Sequence, residues 1–304
     1  MTTLLCLVGP TAAGKSRMAV EVALELEALG HEPEIVSCDS MGVYRQLDIV
    51  ADKPSESERS GIPHHLFDVV DPSEEFTAPR YRELARKTIA EIAGRGGVPM
   101  LVGGSGLWFR SVVDDLEFAP TDPSVRERLE AVDPAELMER LRAADPVTAD
   151  RLDPRNPRRI VRAAEVLELT GRPPSELRDS WERYEGPYDL VVAGLTWDRS
   201  VLLQRVEERV DREIAAGVLQ EVRSVRSFSR SAGQALGVKE MIPVTEGLET
   251  MDLARTKLVR NTKNFVRRQI SWFKRDPRVA WVSASDLGWE GARRAIVERF
   301  SAAL

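Results

Sequence analysis

Short apolar runs alternate with amphipathic helical patterns along most of the chain. Runs rich in apolar residues at 4–8, 34–38 and 98–102 have the length and composition of strands. Apolar positions recur at helical spacing after residue 15 and again across 79–93. Because strands that alternate with helices are typical of β-α-β units, we expect an α/β fold with a parallel sheet.

The pattern changes near Phe118, where the strand-like runs stop and prolines punctuate short helical stretches. A strand-like run resumes at 188–195. We therefore predict two domains. The α/β core would comprise 1–118 and 191–304, and a helical insertion would comprise 119–190.

The junction between the first predicted strand and helix carries Gly9-Pro10-Thr11-Ala12-Ala13-Gly14-Lys15-Ser16. This sequence matches the phosphate-binding motif G-x-x-x-x-G-K-[ST] in its strand–loop–helix context. Backbone N–H groups of such a loop point at anionic oxygens, at the positive end of the helix. Lys15 adds charge for the terminal phosphates, and the Ser16 hydroxyl is a ligand for Mg²⁺. All eight residues are predicted to bind a diphosphate or polyphosphate.

The second predicted strand runs into Asp39. Since ligands of open α/β sheets lie beyond the carboxyl ends of the strands, we expect this carboxylate to face the loop, with a turn cap as the alternative. The strand at 98–102 ends in glycines, and not in the acid with which NTP-hydrolysing motors hold Mg²⁺. The loop is therefore expected to hold the phosphates of a substrate or leaving group.

Positive charge is concentrated locally, although the net charge of the 304 residues is −6. The stretch 255–275 holds eight Lys and Arg residues and no acid. We predict an amphipathic helix whose cations Arg260, Lys263 and Arg267 lie beside a stripe containing Val259, and face a phosphate backbone. The alternative is a solvated face that acids of other helices neutralise.

Other charged and polar residues are interpreted as structural. The helix after Asp198 is rich in Glu–Arg pairs and is interpreted as a solvated face. Adjacent strand residues point in opposite directions, so His64 and His65 are interpreted as hydrogen-bonded structural residues. Cys6 and Cys38 are interpreted as apolar fillers. No apolar run has the length of a membrane span and no signal peptide is visible, so we expect a cytoplasmic protein.

Several segments together resemble the tRNA dimethylallyltransferase family, bacterial type. The motifs of this family occur along nearly the whole chain, in the family's order. They are the loop, Cys38-Asp39-Ser40-Met41, Pro63-His64-His65-Leu66, Leu101-Val102-Gly103-Gly104-Ser105-Gly106-Leu107, Arg158-Arg159-Ile160-Val161-Arg162-Ala163, Gln234-Ala235-Leu236-Gly237-Val238-Lys239-Glu240 and Arg267-Arg268-Gln269-Ile270-Ser271-Trp272-Phe273. Gly42 and Val238 stand where the family commonly has glutamine and tyrosine.

The resemblance implies a P-loop α/β core and a helical insertion that clamps tRNA. The implied reaction moves the dimethylallyl group of dimethylallyl diphosphate, with Mg²⁺, to N6 of adenosine 37 beside the anticodon, in tRNAs reading codons that begin with U. It implies general-base duty for Asp39 and a substrate-contacting hydroxyl for Ser105. We expect a monomer that binds the anticodon stem-loop and no membrane. The implied tRNA contacts are Asp39, Ser40, Met41, Gly42, Ser105, Arg126, Arg158, Arg159, Ile160, Val161, Arg162, Gln234, Gly237 and Lys239.

Three alternatives remain open from the residues. A small-molecule kinase also combines a P-loop with an aspartate after the second strand, but it has no need of the cations at 255–275. A transferase that prenylates free adenine nucleotides is nearer, and the arginines of the insertion favour the larger tRNA acceptor. The third alternative is an NTP-gated RNA-binding switch. The chain lacks the acid with which such a switch would hold Mg²⁺ for the hydrolysis that times it, which counts against this alternative.

Overall fold

The structure, a computed structural model, describes residues 1–176 and 179–304. It divides into a sheet unit, Met1–Val113 with Pro187–Leu304, and a helical unit, Asp114–Gly186. A strand of the sheet unit begins at Tyr188, inside the range that the sequence assigned to the insertion. Among the described helices, none combines the length and apolar character needed to cross a bilayer.

The described residues form one six-stranded sheet, in which every pair of neighbouring strands is parallel. Its strands are β1 (Thr2–Val8), β2 (Pro33–Cys38), β3 (His64–His65), β4 (Val98–Gly103), β5 (Tyr188–Thr196) and β6 (Val279–Ser283). Their order in the sheet is β3-β2-β4-β1-β5-β6. The α/β prediction is confirmed.

Helices fill the connections between the strands. They are α1 (Lys15–Ala28), α2 (Glu56–Arg59), α3 (Ala78–Gly94), α4 (Gly106–Val113), α5 (Pro123–Glu130), α6 (Pro134–Ala144), α7 (Pro146–Arg151), α8 (Pro157–Thr170), α9 (Asp179–Glu182), α10 (Arg199–Ala215), α11 (Val218–Ser224), α12 (Arg230–Gly233), α13 (Val238–Thr245), α14 (Met251–Phe273) and α15 (Ala284–Ser301). The residues between β4 and β5 are helical wherever the structure describes regular elements.

The register of the central strands decides where the functional loops leave the sheet. Gly103 is the register partner of both Val8 and Cys38. The segments that follow β1, β2 and β4 therefore start side by side at the carboxyl edge, where open α/β sheets bind ligands. These segments are the phosphate-binding loop, the turn at Asp39 and the loop at 104–105.

His64, His65 and both cysteines have structural surroundings, as predicted. His64 Nδ1 lies 2.8 Å from the Ile62 carbonyl oxygen, and His65 Nε2 lies 2.6 Å from Glu34 Oε2. Both cysteines are buried and reduced.

The helical unit has its own apolar core, and capped helix starts explain its proline pattern. Helices α5 to α8 each begin with proline at the first turn, directly after an Asp or Asn whose side chain accepts a backbone N–H. Ile160 (0% exposed) and Val161 (5% exposed) lie in this core. The predicted tRNA contacts at these two residues are therefore wrong for their side chains, which cannot reach a ligand.

Candidate active site

Three cavities of the sheet unit meet at the carboxyl edge of the sheet. The loop cavity has a volume of about 550 Å³ and is lined by Lys15, Ser16 and Asp52 among others. The central cavity, about 70 Å³, adds Asp39 to these three. The helix cavity, about 280 Å³, lies between Asp39 and α14. Arg209 lines all three cavities, so they share one wall.

The phosphate-binding loop holds its shape through contacts to its own carbonyls. Gly14, with φ of 90°, adopts a left-handed conformation that favours glycine, and α1 starts at the next residue. Arg205 Nε donates to the Ala12 carbonyl oxygen at 2.7 Å, and Trp197 Nε1 donates to the Ala13 carbonyl oxygen at 2.9 Å. Lys15 Nζ donates to the Pro10 carbonyl oxygen at 2.8 Å. These bonds fix the conformation of the loop.

Lys15 sits in a setting that favours an anionic ligand. Burial lowers the pKa of its ammonium to about 8, and Arg209 adds to that effect while Asp39 opposes it. A bound diphosphate would supply the negative charge that this ammonium lacks.

Asp39 combines both roles that the sequence allowed for it. Its Oδ1 accepts the backbone N–H groups of Met41 at 2.7 Å and Gly42 at 3.3 Å, so the carboxylate does cap a turn. Oδ2 makes no hydrogen bond to any residue that the structure describes, and the side chain lines the central and helix cavities. One oxygen is thus fixed, and the other is open to accept a proton.

Ser105 lies beside this turn. Its Oγ accepts the backbone N–H of Ser40 at 3.2 Å and is 3.4 Å from Ser40 Oγ. Ser105 lines the helix cavity together with Asp39. A hydroxyl at this position can contact a group that approaches the carboxylate.

Arg209 is a site residue that the sequence interpretation missed. Its Nε lies 2.6 Å from Glu213 Oε1 and its guanidinium 3.1 Å from Asp52 Oδ2. The interpretation of α10 as a solvated face is wrong here, because Leu202 and Val206 turn this face inward. The signal was present in the sequence: Arg209 follows three residues after the second of these apolar positions.

A protein-family model described as "IPP transferase" matches residues 42–276. The chain belongs to this family. It is 41% identical to the tRNA dimethylallyltransferase of Bifidobacterium longum (strain NCC 2705) over 283 residues, 91% of this chain and 85% of the relative. The resemblance inferred from the sequence is confirmed.

Solved structures agree with this assignment. The full-length tRNA isopentenylpyrophosphate transferase of Bacillus halodurans is 35% identical with a TM-score of 0.72, over 99% of this chain and 96% of that one. A structure described as a eukaryotic dimethylallyltransferase acting on tRNA is 26% identical with a TM-score of 0.81, over 100% of this chain and 80% of that one.

The predicted tRNA contacts of the sheet unit fall into two groups. Six of them line the helix cavity: Asp39, Ser40, Met41, Ser105, Gln234 and Lys239. Gly42 and Gly237 are buried backbone positions, and a Cβ at Gly42 would lie 3.0 Å from the Phe67 ring. The loop predicted over 234–240 is wrong in its second half, because α13 begins at the buried Val238.

The cations of α14 are only partly available. Lys263 pairs with Glu207, as Arg255 does with Asp211. The prediction that Lys263 faces a phosphate backbone as an unpaired cation is therefore wrong. The alternative, a face neutralised by acids of other helices, is correct at this residue. Arg260 and Arg267 are exposed and have no acid partner among the described residues. Val259 is only half-buried. The fully buried stripe consists of Ala254, Leu258, Thr262, Val266, Gln269 and Phe273.

The cations of the helical unit also divide into residues paired with an acid and residues without an acid partner among those that the structure describes. Arg126 and Arg162 both contact Glu165 Oε2, at 2.5 and 2.7 Å, so we withdraw them as free RNA contacts. Arg155 precedes α8 and pairs with Asp153. The exposed Arg158 and Arg159 have no acid partner among the residues that the structure describes.

The site residues fit Mg²⁺ only in combination with a phosphate ligand. No group of three or more His, Cys, Asp or Glu side chains within 1–176 and 179–304 could hold a metal ion. Ser16 is exposed at the first turn of α1 and lines the loop and central cavities. Because Mg²⁺ commonly takes one or two protein oxygens and completes its shell with waters and substrate phosphates, a lone hydroxyl suits that mode.

Proposed function

We propose that the chain transfers the dimethylallyl group of dimethylallyl diphosphate to N6 of adenosine 37, in tRNAs reading codons that begin with U. Family membership supports tRNA prenylation. The observation that carries the chemistry is the central cavity, where Lys15 and Ser16 share a wall with Asp39. The proposed leaving-group cradle and the proposed proton acceptor therefore line the same cavity.

The loop cavity would hold the diphosphate. Backbone N–H groups of the loop, the Lys15 ammonium and the Arg209 guanidinium would stabilise the charge that develops as the C1–O bond breaks and its electron pair stays on the diphosphate. Mg²⁺ held by Ser16 and the phosphates would add positive charge to that leaving group. Dimethylallyl carbon C1 would then face the central cavity.

Asp39 would remove the proton of the attacking amine. The N6 lone pair forms the C–N bond, and the nitrogen loses a proton to Oδ2, the oxygen that the turn leaves open. Oδ1 stays bound to the backbone of Met41, which fixes the direction of Oδ2. The products are prenylated RNA and diphosphate.

The helix cavity would receive the adenine after it leaves its stack. Its lining combines the hydroxyl of Ser105 with Phe265 and Arg268 of α14, side chains suited to a flipped base. Arg260, Arg267, Arg158 and Arg159 would contact the tRNA backbone. We propose that the protein acts as a monomer in the cytoplasm, where its tRNA partner is found.

The experiment incubates the protein with radiolabelled dimethylallyl diphosphate, Mg²⁺ and unmodified tRNA. We expect label in the RNA, on the adenosine beside the anticodon, and its loss in Lys15→Ala. Label that appears only on free adenine nucleotides would support the nucleotide prenyltransferase instead. Transfer only from γ-labelled ATP to a small molecule would support the kinase.

A further inference from the structure

Gln269 is a buried amide on a helix whose outer face is basic. Only 6% of it is exposed, and its neighbours on the buried stripe of α14 include Val266 and Phe273. A primary amide in such a place costs free energy unless its polar atoms are hydrogen-bonded. Its partners therefore explain why it is there.

Both partners belong to the candidate active site. Gln269 Oε1 accepts the backbone N–H of Thr11 in the phosphate-binding loop at 2.8 Å. Gln269 Nε2 donates to the carbonyl oxygen of Gly104 at 3.0 Å. One side chain of α14 thus joins the loop after β1 to the loop after β4, which carries Ser105.

α14 packs directly against these segments at two glycines. A Cβ at Gly104 would lie 2.4 Å from Gln269 Nε2, 2.9 Å from the Gly9 carbonyl oxygen and 3.4 Å from Lys15 Nζ. A Cβ at Gly106 would lie 2.2 Å from the indole of Trp272. Because α14 leaves no room for a side chain at Gly104 or Gly106, we expect a displacement of the helix to shift the neighbouring loop residues as well.

The outer face of the same turn carries exposed cations. Arg267 and Arg268 directly precede Gln269, and Arg268 also lines the helix cavity with Phe265. We propose that Gln269 is a positioning residue that couples tRNA docking on α14 to the alignment of the diphosphate cradle. This inference rests on the proposed function. RNA bound to the outer face fixes the helix, and the amide then fixes Thr11 and Gly104.

The first test measures tRNA affinity with and without inorganic pyrophosphate and Mg²⁺. In the wild type we expect pyrophosphate to tighten tRNA binding by about fivefold or more, the range of ordinary coupling between sites. In Gln269→Leu the factor should fall below about twofold, and single-turnover transfer should slow by about tenfold. Val266→Ala, on the same buried stripe, is the packing control and should keep the wild-type coupling.

The second test uses Gln269→Glu, because a protonated carboxyl presents one acceptor and one donor, as the amide does. Relative to the wild type at each pH, transfer by this variant should recover as pH falls, and Gln269→Leu should not recover. Dividing by the wild-type rate at each pH removes the pH dependence that the variant and the wild type share.

The outcomes separate this inference from the proposed function. If the wild type transfers no label to tRNA, the proposed function fails first. If the wild type transfers label but Gln269→Leu keeps its coupling, only the positioning role is overturned. An equal loss of coupling in Val266→Ala, or a flat relative pH profile for Gln269→Glu, would also overturn it.

Discussion

Two clusters, one in each unit, pair arginine with a buried carboxylate: the cavity cluster of Arg209, Asp52 and Glu213, and the closed cluster of Glu165, Arg126 and Arg162. Arg209 lines three cavities and forms ion pairs with two acids. Glu165 is 0% exposed, and Arg162 also donates to the carbonyl oxygens of Ala119 and Pro120. The first cluster places a guanidinium at the cavity walls, where we propose that the diphosphate binds, and the second holds α8 against the segment at 119–120.

The pKa values of the two glutamates move in opposite directions. Burial raises the pKa of Glu213, and Arg209 offsets this only in part, since Asp52 also lies near. Burial acts the same way on Glu165, but hydrogen bonds from Arg126 and Arg162 outweigh it and lower its pKa. In the closed cluster two arginines share one carboxylate, whereas in the cavity cluster one arginine lies between two carboxylates at the cavity wall.

The largest expected effect is that of Arg209→Ala. Loss of a guanidinium from the diphosphate cradle should lower kcat/KM for dimethylallyl diphosphate by about 100- to 1000-fold. Steady-state kinetics at saturating tRNA measures it. Arg209→Lys, which keeps the charge, should lose less. Arg126→Ala is the control from the closed cluster, and an equal kinetic loss there would contradict the comparison.

Glu165→Gln should act on stability and not on chemistry. We expect unfolding free energy to fall by about 2 kcal/mol, less than the roughly 3–5 kcal/mol for a fully buried pair, because about a third of each arginine side chain reaches solvent. Since the pKa of Glu165 is lowered, its stabilisation is present above its ordinary pKa of 4.5 and is lost as pH falls through the folded value. Denaturant titrations at pH 7 and pH 3 measure both. The contribution of Glu213 has the opposite pH dependence, so equal behaviour of Glu213→Gln would contradict this contrast.

Lys15, which lines two of the same cavities as the cavity cluster, should make the reaction rate depend on pH. Its pKa of about 8 means that the free protein loses this ammonium above pH 8, so kcat/KM for the diphosphate substrate should fall by about tenfold per pH unit there. A pH–rate profile between pH 7 and 10 shows it. Lys15→Arg should move the decline to higher pH, and an unshifted profile would assign it to another group.

The smallest effects concern the exposed cations. Arg158→Gln should weaken tRNA binding a few-fold and lower the slope of log affinity against log salt by about 1. Binding titrations at several salt concentrations measure both. Arg162→Gln should change stability more than the salt slope. The reverse pattern would show that Arg162 leaves Glu165 to bind RNA.

The sequence could predict the fold and the positions of the strand ends, because they depend on local patterns. Apolar runs predicted the strands, and the motif around Lys15 predicted the loop between β1 and α1. Asp39 followed from the rule that ligands lie at the carboxyl edge. Each of these inferences needs only residues that are close together along the chain.

Whether a cation is free to bind RNA cannot be predicted in this way, because the acid that neutralises it can lie anywhere in the sequence. Lys263 is neutralised by Glu207 on α10, and Arg126 by Glu165 on α8. The bond between Gln269 and Thr11 spans 258 positions. A helical wheel shows which side chains share a face, but it cannot show which face an acid from another helix will meet.

Single-turnover transfer by Asp39→Asn tests the central claim most directly. The amide keeps an oxygen for the Met41 and Gly42 N–H groups, so the turn is retained while the proton acceptor is lost. With prebound dimethylallyl diphosphate and tRNA, we predict a rate about 100- to 10,000-fold below wild type, and tRNA affinity within about twofold. A rate close to the wild-type value would contradict the account, and so would a loss of tRNA affinity with unchanged chemistry.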